Sequence, residues 1–153
     1  MLPRQWLVNL ANDVPVSIWY DWHDDGRDPA EPEHHFGTVL NPYYAGRDPV
    51  YDPKPAYLAA KNLTRLLEGF RYNKRLAVGT AEEHVLLFTR GADVRLAAWP
   101  TAAEPREIAL PASPGRFALT AHTGERLAPH TAGARGLQLV LGDAPQYLVP
   151  EGA

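Results

Sequence analysis

The hydrophobic pattern of the first seventy residues predicts a helix, a strand, a long loop and a second helix. In residues 4–11, RQWLVNLA, apolar side chains recur at helical spacing, so we expect the end of an amphipathic helix. The segment VPVSIWYDW, residues 14–22, is apolar at both odd and even positions. Such continuity is typical of a strand buried on both faces, as in a parallel sheet. From Pro55 to Gly69 the apolar positions predict a second helix that begins at the proline.

After about Tyr72 the pattern changes to short apolar runs separated by Gly, Pro and Asp turns. The runs read EHVLLFTR, DVRLAAWP, REIALP, RFALTAHT, GLQLVLG and QYLVP. Strand signals at this regular spacing predict an antiparallel sandwich or barrel. We therefore expect an α+β chain with an α-β-α unit in residues 1–71 and an antiparallel β-sandwich domain in residues 72–153.

The loop from His23 to Asp52 is the most unusual segment, because loops of this length in compact domains are usually functional. Its acids and histidines are possible metal ligands: Asp21, His23, Asp24, Asp25, His34 and His35. An EF-hand is excluded, since Pro32 stands where the bidentate glutamate is needed. No known zinc-ligand spacing is present either. We predict no metal and no cofactor, and a metal-dependent enzyme built on this loop is the third hypothesis.

Candidate chemistry in the same region favours binding over catalysis. Ser17 is not in a G-x-S-x-G elbow, and the side chains of the adjacent Asp24 and Asp25 diverge, so they cannot easily flank one glycosidic bond. We predict no catalytic residue. Trp19 and Trp22 lie near the carboxyl end of the predicted strand, where α/β sheets place ligands, and an indole there can stack on a sugar ring. Trp22, the last aromatic before the polar turn, is the stronger candidate for contact with a ligand.

Composition and charge limit the classes of binding partner and of site that the chain can have. A net charge of -3 over 153 residues argues against nucleic acid and against an anionic membrane surface. There are no cysteines, which excludes disulfides, thiol nucleophiles and cysteine-based metal sites. No apolar run approaches the length of a membrane span, and Asn9, Asn12 and Asp13 interrupt any signal-peptide core. The cellular compartment stays open.

Two segments together resemble a known family. VPVSIWYDWHDDGRDPAEPEHHFGTVL followed by YDPKPAYLAAKNLTRLLEGF resembles the last strand, last βα-loop and last helix of a clan-A (β/α)8 glycoside hydrolase, closest to the family 39-like and cellulase-like bacterial proteins. The resemblance implies that residues 1–71 are the α-β-α remnant of a TIM barrel whose earlier strands lie upstream of Met1. It also implies that the β-sandwich is an accessory domain. The family's two catalytic glutamates end the fourth and seventh strands, and neither motif occurs in this chain.

The function implied by the resemblance is that of the C-terminal part of a retaining glycoside hydrolase, which works by double displacement. The chain would supply one wall of a carbohydrate-binding cleft, with Trp22, Trp19, His23, Asp24 and Asp25 at the substrate. Within the loop we expect Asp24 and Asp25 to accept hydrogen bonds from turn amides. We also expect Gly26 to supply a positive φ, and the His34–His35 pair to act as scaffolding.

The main alternative is a non-catalytic carbohydrate- or partner-binding β-sandwich module. It would need aromatic rings that are coplanar and face solvent, and the candidates Trp99, Phe117 and Tyr147 occupy strand positions that predict core. One physical consequence follows from the barrel hypothesis. A barrel strand without its neighbours exposes edges and apolar faces, so we expect residues 1–70 to be poorly ordered or to self-associate in solution.

Overall fold

The computed structural model describes residues 1–152 and has two helices and eight strands, an α+β chain. The helices are α1, Leu2–Ala11, and α2, Pro55–Leu67, with a short 3-10 turn at Pro32–His35 between them. The strands are β1 Arg71–Arg75, β2 Glu83–Arg90, β3 Asp93–Pro100, β4 Arg106–Leu110, β5 Gly115–Ala121, β6 Arg126–Ala132, β7 Leu137–Leu141 and β8 Gln146–Glu151. Within the described residues, neither helix is both long and apolar enough to cross a membrane.

The strands form two antiparallel sheets that pack in a sandwich-like arrangement. The larger sheet has six strands in the order β1-β2-β3-β8-β5-β6, and the smaller one pairs β4 with β7. Between them lies an apolar core to which the large sheet contributes Val85, Leu96 and Leu148, and the small sheet Ile108 and Leu139. The predicted β-sandwich is compatible with this topology.

The opposite face of the large sheet is covered by the two helices. Leu7 of α1 and Leu63 of α2 pack in one cluster with Phe88, Trp99 and Tyr147 of the sheet. The centre of the large sheet is therefore buried on both faces, which explains why the β2 and β3 sequences are apolar at consecutive positions. Trp99, Phe117 and Tyr147 are all buried, so none of the three rings offers a solvent-facing binding surface.

Two predicted strands agree with the structure residue for residue, and two observed strands were missed. EHVLLFTR and DVRLAAWP coincide with β2 and β3, and β3 ends at Pro100 as expected of a residue that cannot donate to a ladder. The strands β1 and β6 escaped prediction, because RYNKR and RLAPHTA carry polar side chains on both faces. They are the edge strands of the large sheet, where polar residues are tolerated.

The prediction of a buried strand over residues 14–22 is wrong for this structure. The segment forms no regular strand, and its nearest ladder contact is one isolated parallel bridge between His23 and Val39. Every even-numbered side chain is exposed, with Val16 67% and Ile18 80% accessible. A strand needs a hydrogen-bonded neighbour, and within residues 1–152 none pairs with residues 15–20; Asp21 and Trp22 at the end of the segment bond to residues 36–39.

Candidate functional site

The long loop is organised around a backbone crossing at Trp22–Asp24. The Trp22 carbonyl oxygen accepts hydrogen bonds from the Thr38 amide at 2.9 Å, from the Thr38 hydroxyl at 2.8 Å and from the Val39 amide at 3.1 Å. The Asp24 amide donates to the Val39 carbonyl at 3.0 Å. Because buried backbone groups must be paired, this short ladder fixes the chain at the point where the aromatic segment meets the polar loop.

Two glycines allow the crossing to close. A Cβ on Gly37 would lie 2.2 Å from both the Asp24 nitrogen and the His23 carbonyl carbon. Gly26 has no positive φ, contrary to our expectation. It is required for close approach instead, since a Cβ there would lie 2.4 Å from Nδ1 of His34. Both glycines serve packing and not a left-handed turn.

Asp24, which we predicted at the rim of a cleft, is buried, with 2% of its surface accessible. Its carboxylate Oδ1 lies 2.6 Å from the ammonium nitrogen of Lys54, and that ammonium also donates to the His35 carbonyl at 2.8 Å. The Asn41 side-chain amide donates to the Asp24 carbonyl at 2.9 Å. Asp24 therefore ties the loop to the residue that precedes α2, and its carboxylate does not face solvent.

Trp22 is the one indole of the loop region that is largely open to solvent, at 58%. Its ring meets Tyr57 of α2 edge-on, with centroids 6.0 Å apart and planes inclined by 72°. A contact of this kind restrains the ring, and more than half of the residue's surface stays open to solvent. The geometry suits a platform on which a flat apolar surface can stack.

Trp19 lies elsewhere. It is half-buried, and its indole N–H donates to the Phe36 carbonyl at 3.1 Å. Its ring lines a cleft of about 570 Å³ between the first turns of α1 and α2 and the loops of the β-sandwich, which Trp22 does not line. Of the two tryptophans that we predicted at one substrate site, Trp19 therefore lines this cleft and Trp22 does not.

His23 and Asp25 follow Trp22 in the chain and lie in different environments. The His23 ring stacks on Tyr51 with centroids 5.7 Å apart, and its Nδ1 donates to the Asp24 carbonyl at 2.9 Å. Asp25 is exposed and accepts a hydrogen bond from the Tyr20 hydroxyl at 3.2 Å. That hydrogen bond and the carboxylate charge raise the pKa of Tyr20 above its ordinary value.

Both histidines of the pair hydrogen-bond to the backbone of Asp28 within the loop. His34 accepts a hydrogen bond from the Asp28 amide at 3.3 Å, and His35 Nε2 donates to the Asp28 carbonyl at 2.9 Å. Asp28, and not Asp24 or Asp25, accepts a turn amide, that of Ala30 at 3.0 Å. Across residues 1–152 no three metal-ligating side chains are grouped around a point, so the metal-dependent hypothesis gains no support.

Several residues of the site were missed at the level of sequence. Lys54 pairs with Asp24, thirty positions earlier, and no local sequence pattern predicts that contact. Tyr57 lies on the first turn of α2, where periodicity predicted only a helix. The sequence shows that Gly37 precedes the β-branched Thr38, but it does not show that Gly37 packs against the backbone of His23 and Asp24.

Comparison with known proteins gives one informative structural likeness. No protein-family model and no curated protein matches the chain. Among the solved structures that match is a family 39 glycoside hydrolase from the gut symbiont Bacteroides cellulosilyticus WH2, with a TM-score of 0.76 and 27% sequence identity. The alignment covers 98% of this chain and 29% of that one, so the chain spans under a third of its structural neighbour. The family 39 resemblance is thus confirmed as a structural likeness to part of such an enzyme.

Proposed function

We propose that this chain is the C-terminal portion of a retaining glycoside hydrolase acting on O-glycosidic bonds. In this proposal residues 1–71 supply the last strand, loop and helix of a (β/α)8 barrel, and residues 72–153 form the accessory β-sandwich. The likeness to a family 39 glycoside hydrolase over 98% of the chain carries the proposal. Since the chain matches 29% of that protein, the activity belongs to the longer polypeptide.

The exposed segment before the loop supports the barrel part of the proposal. Val14, Val16, Ile18, Tyr20 and Trp22 occupy every second position of this segment, and all five are exposed. A row of large apolar side chains at period two is the pattern of one face of a strand. Contiguous apolar patches on soluble proteins usually mark a contact surface. Neighbouring barrel strands and their side chains would cover this one.

Trp22 carries the proposed contact with sugar. Pyranose rings present an apolar face of C–H groups, and the exposed indole can take that surface out of water. His23 and Asp25, which follow Trp22 closely in the chain, are the proposed hydrogen-bonding groups beside the platform. Asp24 is left out of this set, because its carboxylate is paired with Lys54 beneath the surface.

The chain supplies no pair of catalytic carboxylates in this proposal. A retaining glycosidase needs an acid/base and a nucleophile about 5–5.5 Å apart across the scissile bond. In the loop, the Asp24 carboxylate binds Lys54 and that of Asp28 accepts the Ala30 amide. The bond-breaking step therefore falls to glutamates outside this chain, and the chain alone should not hydrolyse glycosides.

The test begins with the gene upstream of the Met1 codon. An open frame that encodes further β/α units and two strand-end glutamates supports the proposal. The longer protein is then assayed on 4-nitrophenyl glycosides, with the anomeric configuration of the product followed by NMR. Retention of configuration is the expected result. A stop codon directly upstream, inversion, or hydrolysis by the 153-residue chain alone would overturn it.

A further inference from the structure

The buried ion pair between Asp24 and Lys54 connects the segment that carries Trp22 with the helix that carries Tyr57. Asp24 is two residues after Trp22, and Lys54 directly precedes Pro55, the first residue of α2. The same α2 carries Tyr57, whose ring meets Trp22. The Lys54 ammonium thus connects the strand end that bears the platform with the helix that restrains it, at 2.6 Å from Asp24.

Lys54 also holds the far side of the loop. Its second hydrogen bond goes to the His35 carbonyl at 2.8 Å, and the next residue, Phe36, accepts the Trp19 indole N–H through its own carbonyl. Gly37 then packs against the backbone of His23 and Asp24 with no space for a Cβ. One ammonium group therefore joins three chain segments at residues 24, 35 and 54.

We infer that Asp24 and Lys54 are positioning residues for the Trp22 sugar platform, holding the indole at the angle that Tyr57 restrains. The sugar part of this inference rests on the proposed function, and the positional part rests on the contacts alone. Neither residue touches substrate: Asp24 is buried and Lys54 points inward to it. Losing Lys54 leaves a buried carboxylate without a partner, which must draw in water or move outward, and the Trp22–Asp24 backbone moves with it.

The positional test uses the four tryptophans as internal probes in an indole-¹⁵N-labelled chain. Each signal is assigned by a single Trp→Phe replacement. In Lys54→Met we expect the Trp22 and Trp19 signals to shift by more than a linewidth, while that of Trp99, which is 1% exposed in the core, stays in place. Lys54→Arg keeps a cation and should stay close to wild type. Arg47→Met, which removes the exposed ion pair to Asp52 in the same loop, is the matched control and should leave Trp22 unchanged.

A Trp22 signal that stays in place in Lys54→Met, with Trp99 native, overturns the inference. If Lys54→Met loses the Trp99 signal and so fails to fold, Asp24→Asn decides by the same criterion. A shifted Trp22 with native Trp99 supports the inference, and an unshifted one rejects it. No sugar enters this measurement, so its failure is separate from failure of the glycosidase assay.

A kinetic readout distinguishes positioning from general support of the fold. In an active glycosidase containing this chain, Lys54→Met should lower kcat/KM about tenfold, and combining it with Trp22→Ala should add little beyond Trp22→Ala alone. Residues that act through one another give such non-additive effects, whereas independent losses add. Additive losses in the double variant would argue against action through Trp22.

Discussion

The imidazole of His84 lies flat against the indole of Trp99, with ring centroids 4.9 Å apart and planes inclined by 7°. Trp99 is part of the core that α1 and α2 form on the large sheet, so this histidine sits at the edge of that core. Burial lowers the pKa of His84 below its ordinary value of 6.5, and the charges of Arg75 and Arg4 lower it further. The folded state therefore favours the neutral ring.

This depressed pKa predicts loss of stability in mild acid. The unfolded chain binds the proton more readily than the folded one, so the free energy of unfolding falls as the pH drops below 6.5 and continues to fall until the folded pKa is passed. Urea unfolding at about pH 7.5 and at about pH 5.5 measures the effect. The change should shrink in His84→Gln. The residual dependence belongs partly to His122, whose pKa burial also lowers. Equal pH dependence in wild type and His84→Gln would contradict the prediction.

Alanine substitutions of Trp22 and Trp99 should affect different properties, substrate binding in the first case and stability in the second. Trp22→Ala changes a largely exposed ring, so we expect the free energy of unfolding to change by about 0.5 kcal/mol or less. Trp99→Ala empties a core position and should cost about 3–5 kcal/mol. In a glycosidase that includes this chain, Trp22→Ala should weaken substrate binding about tenfold or more, as expected from losing a buried aromatic contact. Unchanged kinetics in Trp22→Ala would remove the platform from the proposed function.

Sequence patterns located the core of this fold far better than its site. The run LAAW of β3 is apolar at consecutive positions, and helices on one face with the small sheet on the other bury both of its faces. The run VPVSIWYDW has the same continuity but lies exposed, because burial depends on neighbours that a pattern cannot supply. A run of consecutive apolar residues thus shows that both faces of a segment can be buried. Whether the burial occurs is decided by the rest of the fold.

The loop shows the same limit for polar residues. Asp24 and Asp25 are adjacent and chemically identical, yet one is buried against Lys54 and the other is exposed beside Tyr20. The difference arises from contacts made across thirty residues in the first case and five in the second. Sequence could therefore mark the loop as rich in functional groups, but it could not tell which aspartate is buried and which is exposed.

Gly37 should tolerate no side chain. Gly37→Ala places a Cβ 2.2 Å from two backbone atoms of His23 and Asp24, which cannot rotate away as a side chain would. We expect a loss of about 3 kcal/mol in the free energy of unfolding, or a displaced loop. The matched control is Gly133→Ala, where no atom lies within 4 Å of the added carbon and φ is not positive. A Gly37→Ala chain as stable as Gly133→Ala, with unshifted Trp22 and Trp19 indole signals, would show that the crossing is looser than described.

The exposed row of residues 14–22 should make the isolated chain self-associate. Val16 and Ile18 are 67% and 80% exposed, and the backbone of residues 15–20 makes no hydrogen bond to another backbone group of the described residues, which leaves it open to a second strand. We expect sedimentation velocity to show dimers or larger species that increase with concentration. Val16→Ser with Ile18→Ser should shift the population to monomer without destabilising the β-sandwich, because neither side chain belongs to its core.

A matched pair of changes tests whether the row itself drives the association. Val140 on β7 is also exposed, at 56%, but lies on the small sheet away from the row. Val140→Ser should leave the sedimentation profile unchanged, since an isolated exposed apolar side chain is ordinary on protein surfaces. If Val140→Ser and the double variant changed the sedimentation profile equally, the association would arise from non-specific hydrophobic contacts and not from the row. A wild-type chain that sediments as a monomer at every concentration would contradict an open strand edge, and with it the strongest physical consequence of the barrel proposal.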